Sequence, residues 1–266
     1  MARERTVLYR RDGRIARITL NRPEVLNAEN MTFLNDLSEA VHALRDDREA
    51  RVAIVTGAGR AFCSGVDLKA LSTGTLDRAF FTDIEYLWDI LENCDKAVIC
   101  GIHGYCLGGG LQIALACDLR VAAEDAVLGL PAVKECLIPG LGTYRLPRLI
   151  GMGRARELLL LGEPIDAGRA LEIGLVNSVV PRDQLEGACL ALAERLLAVP
   201  HTSLSHIKRL SNLAFQTDFT HFMQAFVPAM HACLSSPEHQ AAMAAFRAER
   251  GAKPEKSPPG SPGPSS

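Results

Sequence analysis

Polar and apolar residues alternate at the start of the chain, in VLYRR and again in RIARITL, with Ile15, Ile18 and Leu20 as the apolar positions of the second run. An Asp12-Gly13 pair between the two runs predicts a hairpin turn, and Arg22-Pro23 closes the second strand. The period then lengthens. Phe33, Leu34, Leu37, Ala40, Val41 and Leu44 form one stripe of a helix over 30 to 46, and VAIVTG at 52 to 57 follows as a short buried strand. A polar, glycine-containing segment from 57 to 75 leads into an apolar-periodic helix at about 78 to 93, then a second buried strand, AVICGIHG, at 97 to 104. The glycine run 108 to 110 opens a helix whose apolar residues extend through Ala116, and Asp118 begins the return strand LRVAA. Strands alternating with helices predict an α/β fold, and the helix-rich stretch from 183 to 250 predicts a helical subregion.

Composition narrows this picture. With 266 residues, 48% of them hydrophobic, the chain can bury a full core, as one large domain or one domain with an appendage. QLEGACLALAERLLAV and HFMQAFVPAMHACL are amphipathic but too short to stand alone, so they must pack on something, and another subunit is a candidate. The tail GAKPEKSPPGSPGPSS is too rich in Pro, Gly and Ser to bury enough surface, which predicts disorder. Basic and acidic residues number 29 and 31 and are mixed along the chain, so no basic stretch is dense enough to track nucleic acid. No run of eighteen apolar residues is present and the N-terminus does not read as a signal peptide, so a soluble, cytoplasmic protein without a membrane span is expected. The eight cysteines lack a CxxC pair or a His-rich partner segment and read as small reduced core residues.

Two segments carry candidate chemistry. In Ala61-Phe62-Cys63-Ser64-Gly65-Val66-Asp67-Leu68-Lys69, Gly65 permits a turn that presents the amide of Val66 outward. In Gly104-Tyr105-Cys106-Leu107-Gly108-Gly109-Gly110-Leu111-Gln112, three glycines let a ligand oxygen approach amides at a helix N-terminus. Two converging amides are what an oxyanion or enolate needs, because they stabilise charge that develops only in the transition state. Taken singly, the second segment reads equally as a packing turn or a phosphate loop, although its spacing matches neither a Walker lysine motif nor GxGxxG.

Together the two segments resemble the crotonase (enoyl-CoA hydratase/isomerase) superfamily. NRPEVLNA at 21 to 28, IPGLGTYRLPRLIG at 138 to 151, GEPIDAGRALEIGLVNSVVP at 162 to 181 and AMAAFRAER near the end extend the resemblance from about residue 6 to 250. It implies a crotonase-like spiral of ββα units over 1 to 195, a C-terminal helical trimerisation region over 196 to 250, a disordered tail over 251 to 266, and a homotrimer or hexamer. It further implies an acyl-CoA or acyl-carrier-protein thioester as partner, with coenzyme A or phosphopantetheine as part of the substrate and no separate cofactor. Carried over by residue, the oxyanion hole falls on the amides of Val66 and Gly109. Lys69 stands near the CoA phosphates, and Cys63 and Ser64 border the adenine and pantetheine path through backbone groups. Glu85 and Tyr86 stand where family members line the acyl pocket.

The pattern breaks at the proton carriers. Family hydratases hold one glutamate two residues after the glycine run and a second after the proline of Gly-x-Pro-Glu; here these positions are Gln112 and, in Gly129-Leu130-Pro131-Ala132, Ala132. An amide has no useful basicity and a methyl group none, so ordinary hydration is expected to be feeble. Glu135, three residues beyond Ala132, would come near the empty position if that segment is helical. Asp67 is expected to organise its turn, and His103 to be structural. Enolate chemistry such as decarboxylation or isomerisation is therefore preferred. A catalytically weak acyl-CoA binder and an atypical hydratase using Glu135 are the alternatives.

Overall fold

The computed structural model describes residues 4 to 251, so the predicted tail lies outside the described residues except for Gly251, which ends the last helix. Strands β1 (Val7–Asp12), β2 (Ile15–Leu20), β3 (Val52–Gly57), β4 (Ala97–Ile102), β5 (Tyr105–Leu107), β6 (Leu119–Ala123), β7 (Val127–Gly129), β8 (Ile165–Asp166) and β9 (Ser178–Val180) form two sheets. The larger runs β1-β2-β3-β4-β6-β9, and the smaller β5-β7-β8. Only β1 pairs antiparallel in the larger sheet; β2, β3, β4, β6 and β9 are parallel there, which requires the helical crossovers Met31–Asp46 between β2 and β3 and Arg78–Asn93 between β3 and β4. The hairpin forms as expected with one change. Asp12 pairs with Ile15, so the turn is Gly13-Arg14, with Gly13 at φ +56°.

The helices obey their stripes. Asn30 caps the first, accepting from the Phe33 N–H at 2.9 Å, and Asp77 caps the second, accepting from the Phe80 N–H at 2.9 Å. Their buried faces, including Phe33, Leu37, Phe80 and Trp88, fill the main core against one side of the sheet. The helix Leu185–Leu197 covers the other side, placing Leu185, Cys189 and Ala193 against Ile54, Ile99 and Val121. Beyond it lie His201–Leu213, Phe219–Ser235 and Pro237–Gly251. Six cysteines are buried, whereas Cys136 is exposed and Cys233 half-buried, because one follows a surface turn and the other lies on an outer helix.

A buried lysine ties the helical region to the α/β layers. Lys208 Nζ donates to the carbonyls of Leu91 (3.0 Å) and Lys96 (2.9 Å) and pairs with Asp118 at 2.9 Å. Lys208→Met leaves those acceptors buried without their donor and is expected to lower unfolding stability by about 3 kcal/mol. Urea unfolding checks this, and an unchanged midpoint would contradict it.

The strand predicted over 97 to 104 is shorter than its apolar run. β4 ends at Ile102, and Gly104 (φ +52°) turns the chain against the backbone of Arg60 and Ala61, so β5 joins the second sheet. That turn brings the two candidate segments together.

Candidate functional site

Cys63 and Cys106 form an isolated parallel bridge: the Cys63 N–H donates to Tyr105 O (2.9 Å) and the Leu107 N–H to Cys63 O (3.0 Å). On the opposite flank, Glu29 bridges to Val66. The Glu29 N–H donates to Gly65 O (2.8 Å) and the Asp67 N–H to Glu29 O (2.9 Å). In such a bridge the bracketed residue turns its own N–H away from its partner, so the Val66 amide faces away from Glu29. Gly65 makes the turn at φ +89°, where a β-carbon would meet Leu107 O at 2.8 Å and the Gly109 nitrogen at 3.1 Å. Only glycine lets the two loops approach this closely.

Gly108 (φ +53°) donates its N–H to Gly129 O at 2.9 Å, after which the helix Gly109–Ala116 begins. Gly109 is its first residue, so no preceding helical turn supplies an acceptor. Among the described residues neither the Val66 nor the Gly109 N–H has an acceptor. Both residues line one cavity of about 610 Å³, with Phe80, Ile84 and Trp88 on its apolar side.

The expected site residues divide. Ser64, Gln112, Ala132 and Glu135 line the cavity with the two amide residues. Gln112 is buried, and its Oε1 accepts from the Gly142 N–H at 3.2 Å. Ala132 and Glu135 sit on the short 3-10 helix Pro131–Glu135, and Glu135 is exposed at the cavity rim. Lys69 is exposed on the helix Leu68–Ser72 and does not line the cavity, although its neighbours Leu68 and Leu71 do. Asp67 caps that helix, accepting from the Ala70 N–H at 3.2 Å, and pairs with Arg22 at 3.3 Å.

Two expectations are corrected. Cys63 is fully buried and its backbone groups are taken up by Tyr105 and Leu107, so it supports the loop from beneath instead of bordering a ligand path. Tyr86 is 66% exposed and lies outside the cavity: two residues past Ile84, it falls about 200° around the helix from the buried stripe. Its neighbour Glu85 does reach the cavity. Glu85 accepts from the Leu141 N–H (2.9 Å) and pairs with Arg145 (3.2 Å), yet burial outweighs these partners and raises its pKa above the ordinary carboxylate value. His103 is buried with a ring nitrogen 3.3 Å from Gly59 O, and burial lowers its pKa, as suits a structural histidine.

One residue was missed altogether. Glu29 is 1% exposed and lines the cavity, with its carboxyl packed against Gly109. Burial, with Glu85 adding to it, pushes its pKa up to about 8. The residues before it explain its position. Leu26 and Asn27 both adopt φ +57°, and the fully buried Asn27 amide donates to the carbonyls of Ala58, Ala61 and Phe62 while accepting from the Arg22 N–H. That clamp aims the next residues inward, under the loop holding Val66. The one available signal was a glutamate wedged between Ala28 and the helix cap Asn30.

A mainly parallel sheet with flanking helices, and an open-mouthed, largely apolar cavity lined by two residues whose amides are unpaired among the described residues, define an α/β protein with a candidate ligand pocket. The chain belongs to the enoyl-CoA hydratase/isomerase family, whose model matches residues 10–255. It is 34% identical over 248 residues to the short-chain-enoyl-CoA hydratase of Clostridium acetobutylicum, covering 92% of this chain and 95% of the relative. The crystal structure of enoyl-CoA hydratase from Bacillus anthracis superposes with a TM-score of 0.86 at 33% identity, covering 92% of this chain and 96% of the other. A Thermobifida fusca protein solved in complex with CoA superposes with a TM-score of 0.79 at 32% identity, covering 87% and 93%.

Proposed function

We propose that this chain binds an acyl thioester of coenzyme A, or of a carrier-protein phosphopantetheine, and stabilises its enolate with the amides of Val66 and Gly109. The observation that carries this reading is the pair of N–H groups, without acceptors among the described residues, on residues lining a cavity that holds an amide at 112 and a methyl group at 132. The relative solved with CoA supports the choice of thioester. Each oxyanion donor contributes about 3 kcal/mol, while each missing general acid or base costs about two to four orders of magnitude in rate. Binding and charge stabilisation are therefore retained where water activation is weakened. Loss of CO2 from a 2-carboxyacyl thioester suits such a site best, because the departing carboxylate leaves the electron pair behind without a protein base. Isomerisation through the same enolate comes next.

A second reading, hydration of a 2-enoyl thioester, is favoured by the Clostridium relative and by Glu135 at the cavity rim. Incubation with malonyl-, methylmalonyl-, crotonyl- and 3-hydroxybutyryl-CoA, followed by mass spectrometry, separates the two. Loss of CO2 is expected to outpace hydration. Crotonyl-CoA hydration at ordinary hydratase efficiency would contradict the first reading.

The proposed assembly is a homotrimer or hexamer. Exposed Ile207, Phe215, Phe219 and Leu234 give the C-terminal helices apolar surface that a second copy would cover. Among the described residues no helix is long and apolar enough to cross a membrane. Eight unpaired cysteines suit a reducing compartment, and the cytoplasm is proposed.

A further inference from the structure

We propose that Glu29 is the proton carrier of this site, exchanging its carboxyl proton with the α-carbon of the bound acyl thioester, a role that rests on the enolate reading above. Three features of the geometry lead there. Glu29 is 1% exposed and lines the cavity that contains Val66 and Gly109. Its backbone is hydrogen-bonded on both sides of Val66, so the carboxyl is tied to the same loop as one oxyanion donor. A β-carbon placed on Gly109 would overlap the Glu29 carboxyl, which puts that carboxyl beside the other donor. The α-carbon of a thioester is one bond from the carbonyl carbon, so a group flanking both amides is placed to reach it.

The surroundings of the carboxyl suit the task. Its one hydrogen-bond partner among the described residues is the Cys63 thiol, 3.8 Å from Oε1. Across the cavity it faces Glu85, which is held by Arg145, and Glu135 at the rim; Asp67 on its own loop is paired to Arg22. Lys69 and Lys134 are exposed and stand outside the cavity, which among the described residues no lysine or arginine lines, and burial raises the Glu29 pKa to about 8, so most of the group is neutral at pH 7. A carboxylate beside the two amides would repel an incoming enolate, whereas a carboxylic acid does not.

The step balances. In decarboxylation the bond from the α-carbon to the carboxylate breaks and CO2 leaves. The electron pair becomes the enolate held by the two N–H groups, the α-carbon takes the Glu29 proton, and the resulting carboxylate recovers a proton from water. By microscopic reversibility the ionised carboxylate removes an α-proton from a saturated thioester.

The test follows α-hydrogen exchange of butyryl-CoA in D2O by mass spectrometry, with binding of the same ester measured by calorimetry. Exchange is expected to rise about fiftyfold between pH 6 and 8, as the ionised fraction grows, and to level off above. Glu29→Gln, which is near isosteric, is expected to bind the ester and lose exchange by about a hundredfold or more. Glu29→Asp, which retracts the carboxyl by one methylene, is expected to exchange more slowly with the same rise towards pH 8, and it decides the matter if the glutamine variant does not fold. A wild-type rate in either variant, a flat profile from pH 6 to 9, or binding without any exchange overturns Glu29 as the carrier and leaves the thioester site standing. Failure to bind butyryl-CoA overturns the enolate reading itself.

Discussion

Val66→Pro is expected to reduce kcat for thioester turnover by about a hundred- to a thousandfold while leaving KM within a few fold. Proline removes the N–H while keeping an apolar side chain where Val66 lines the cavity, and both bridge bonds around position 66 survive because they belong to Gly65, Asp67 and Glu29. In the proposed enolate reading the lost donor strengthens as charge builds on the thioester oxygen, so the effect falls on kcat more than on binding. Gly65, just before it, tolerates the restriction that proline imposes on its predecessor better than any other residue. Steady-state kinetics on the best substrate, alongside thermal unfolding, checks this. An equal rise in KM with kcat unchanged would mean that the Val66 amide contacts the ligand without serving the transition state.

The second large effect is a gain. Gln112→Glu combined with Ala132→Glu is expected to raise kcat/KM for crotonyl-CoA hydration by at least about a hundredfold, because it restores both groups of an acid-base pair that each contribute two to four orders of magnitude. The site can accept the first change, since a carboxylate at 112 still accepts the Gly142 N–H now held by Gln112 Oε1. It would also stand near Glu85. The side chains of both residues crowd the space over Gly140, so one carboxyl of the new pair will hold its proton to higher pH. Loss of enoyl absorbance reports the gain; a folded double variant that binds crotonyl-CoA without hydrating it faster would show that the two missing glutamates do not explain the weakness of the site.

The long elements were legible in the sequence and the short ones were not, for a physical reason. The helices Met31–Asp46 and Arg78–Asn93 carry four turns of apolar spacing, enough to define a face and a capping residue at each start. β5, β7 and β8 are three, three and two residues long, too short to show any period, and the second sheet they build escaped notice. The amide pair was legible because glycine at 65 and at 108 to 110 marks backbone that must come close to something. Tyr86 was misplaced although the helix phase, counted from Ile84, already turned it outward. Glu29 could not be located from its neighbours alone, because its burial is set by contacts distant in sequence: Asn27 clamping Ala58, Ala61 and Phe62, and the bridge to Val66. A carboxylate substituted at neither expected position but entering from a different loop is a tertiary fact, invisible to spacing.

What underlies all of these expectations is that the thioester carbonyl is held by the amides of Val66 and Gly109. The carbonyl stretch of butyryl-CoA labelled with 13C at the thioester carbon, recorded by infrared difference spectroscopy free and bound, measures that directly. Two donors polarising the carbonyl must move its band to lower frequency, and Val66→Pro, which leaves the Gly109 N–H in place, must undo a substantial part of the shift. A bound ester whose band stays at its solution frequency, or moves equally in Val66→Pro, would contradict the account.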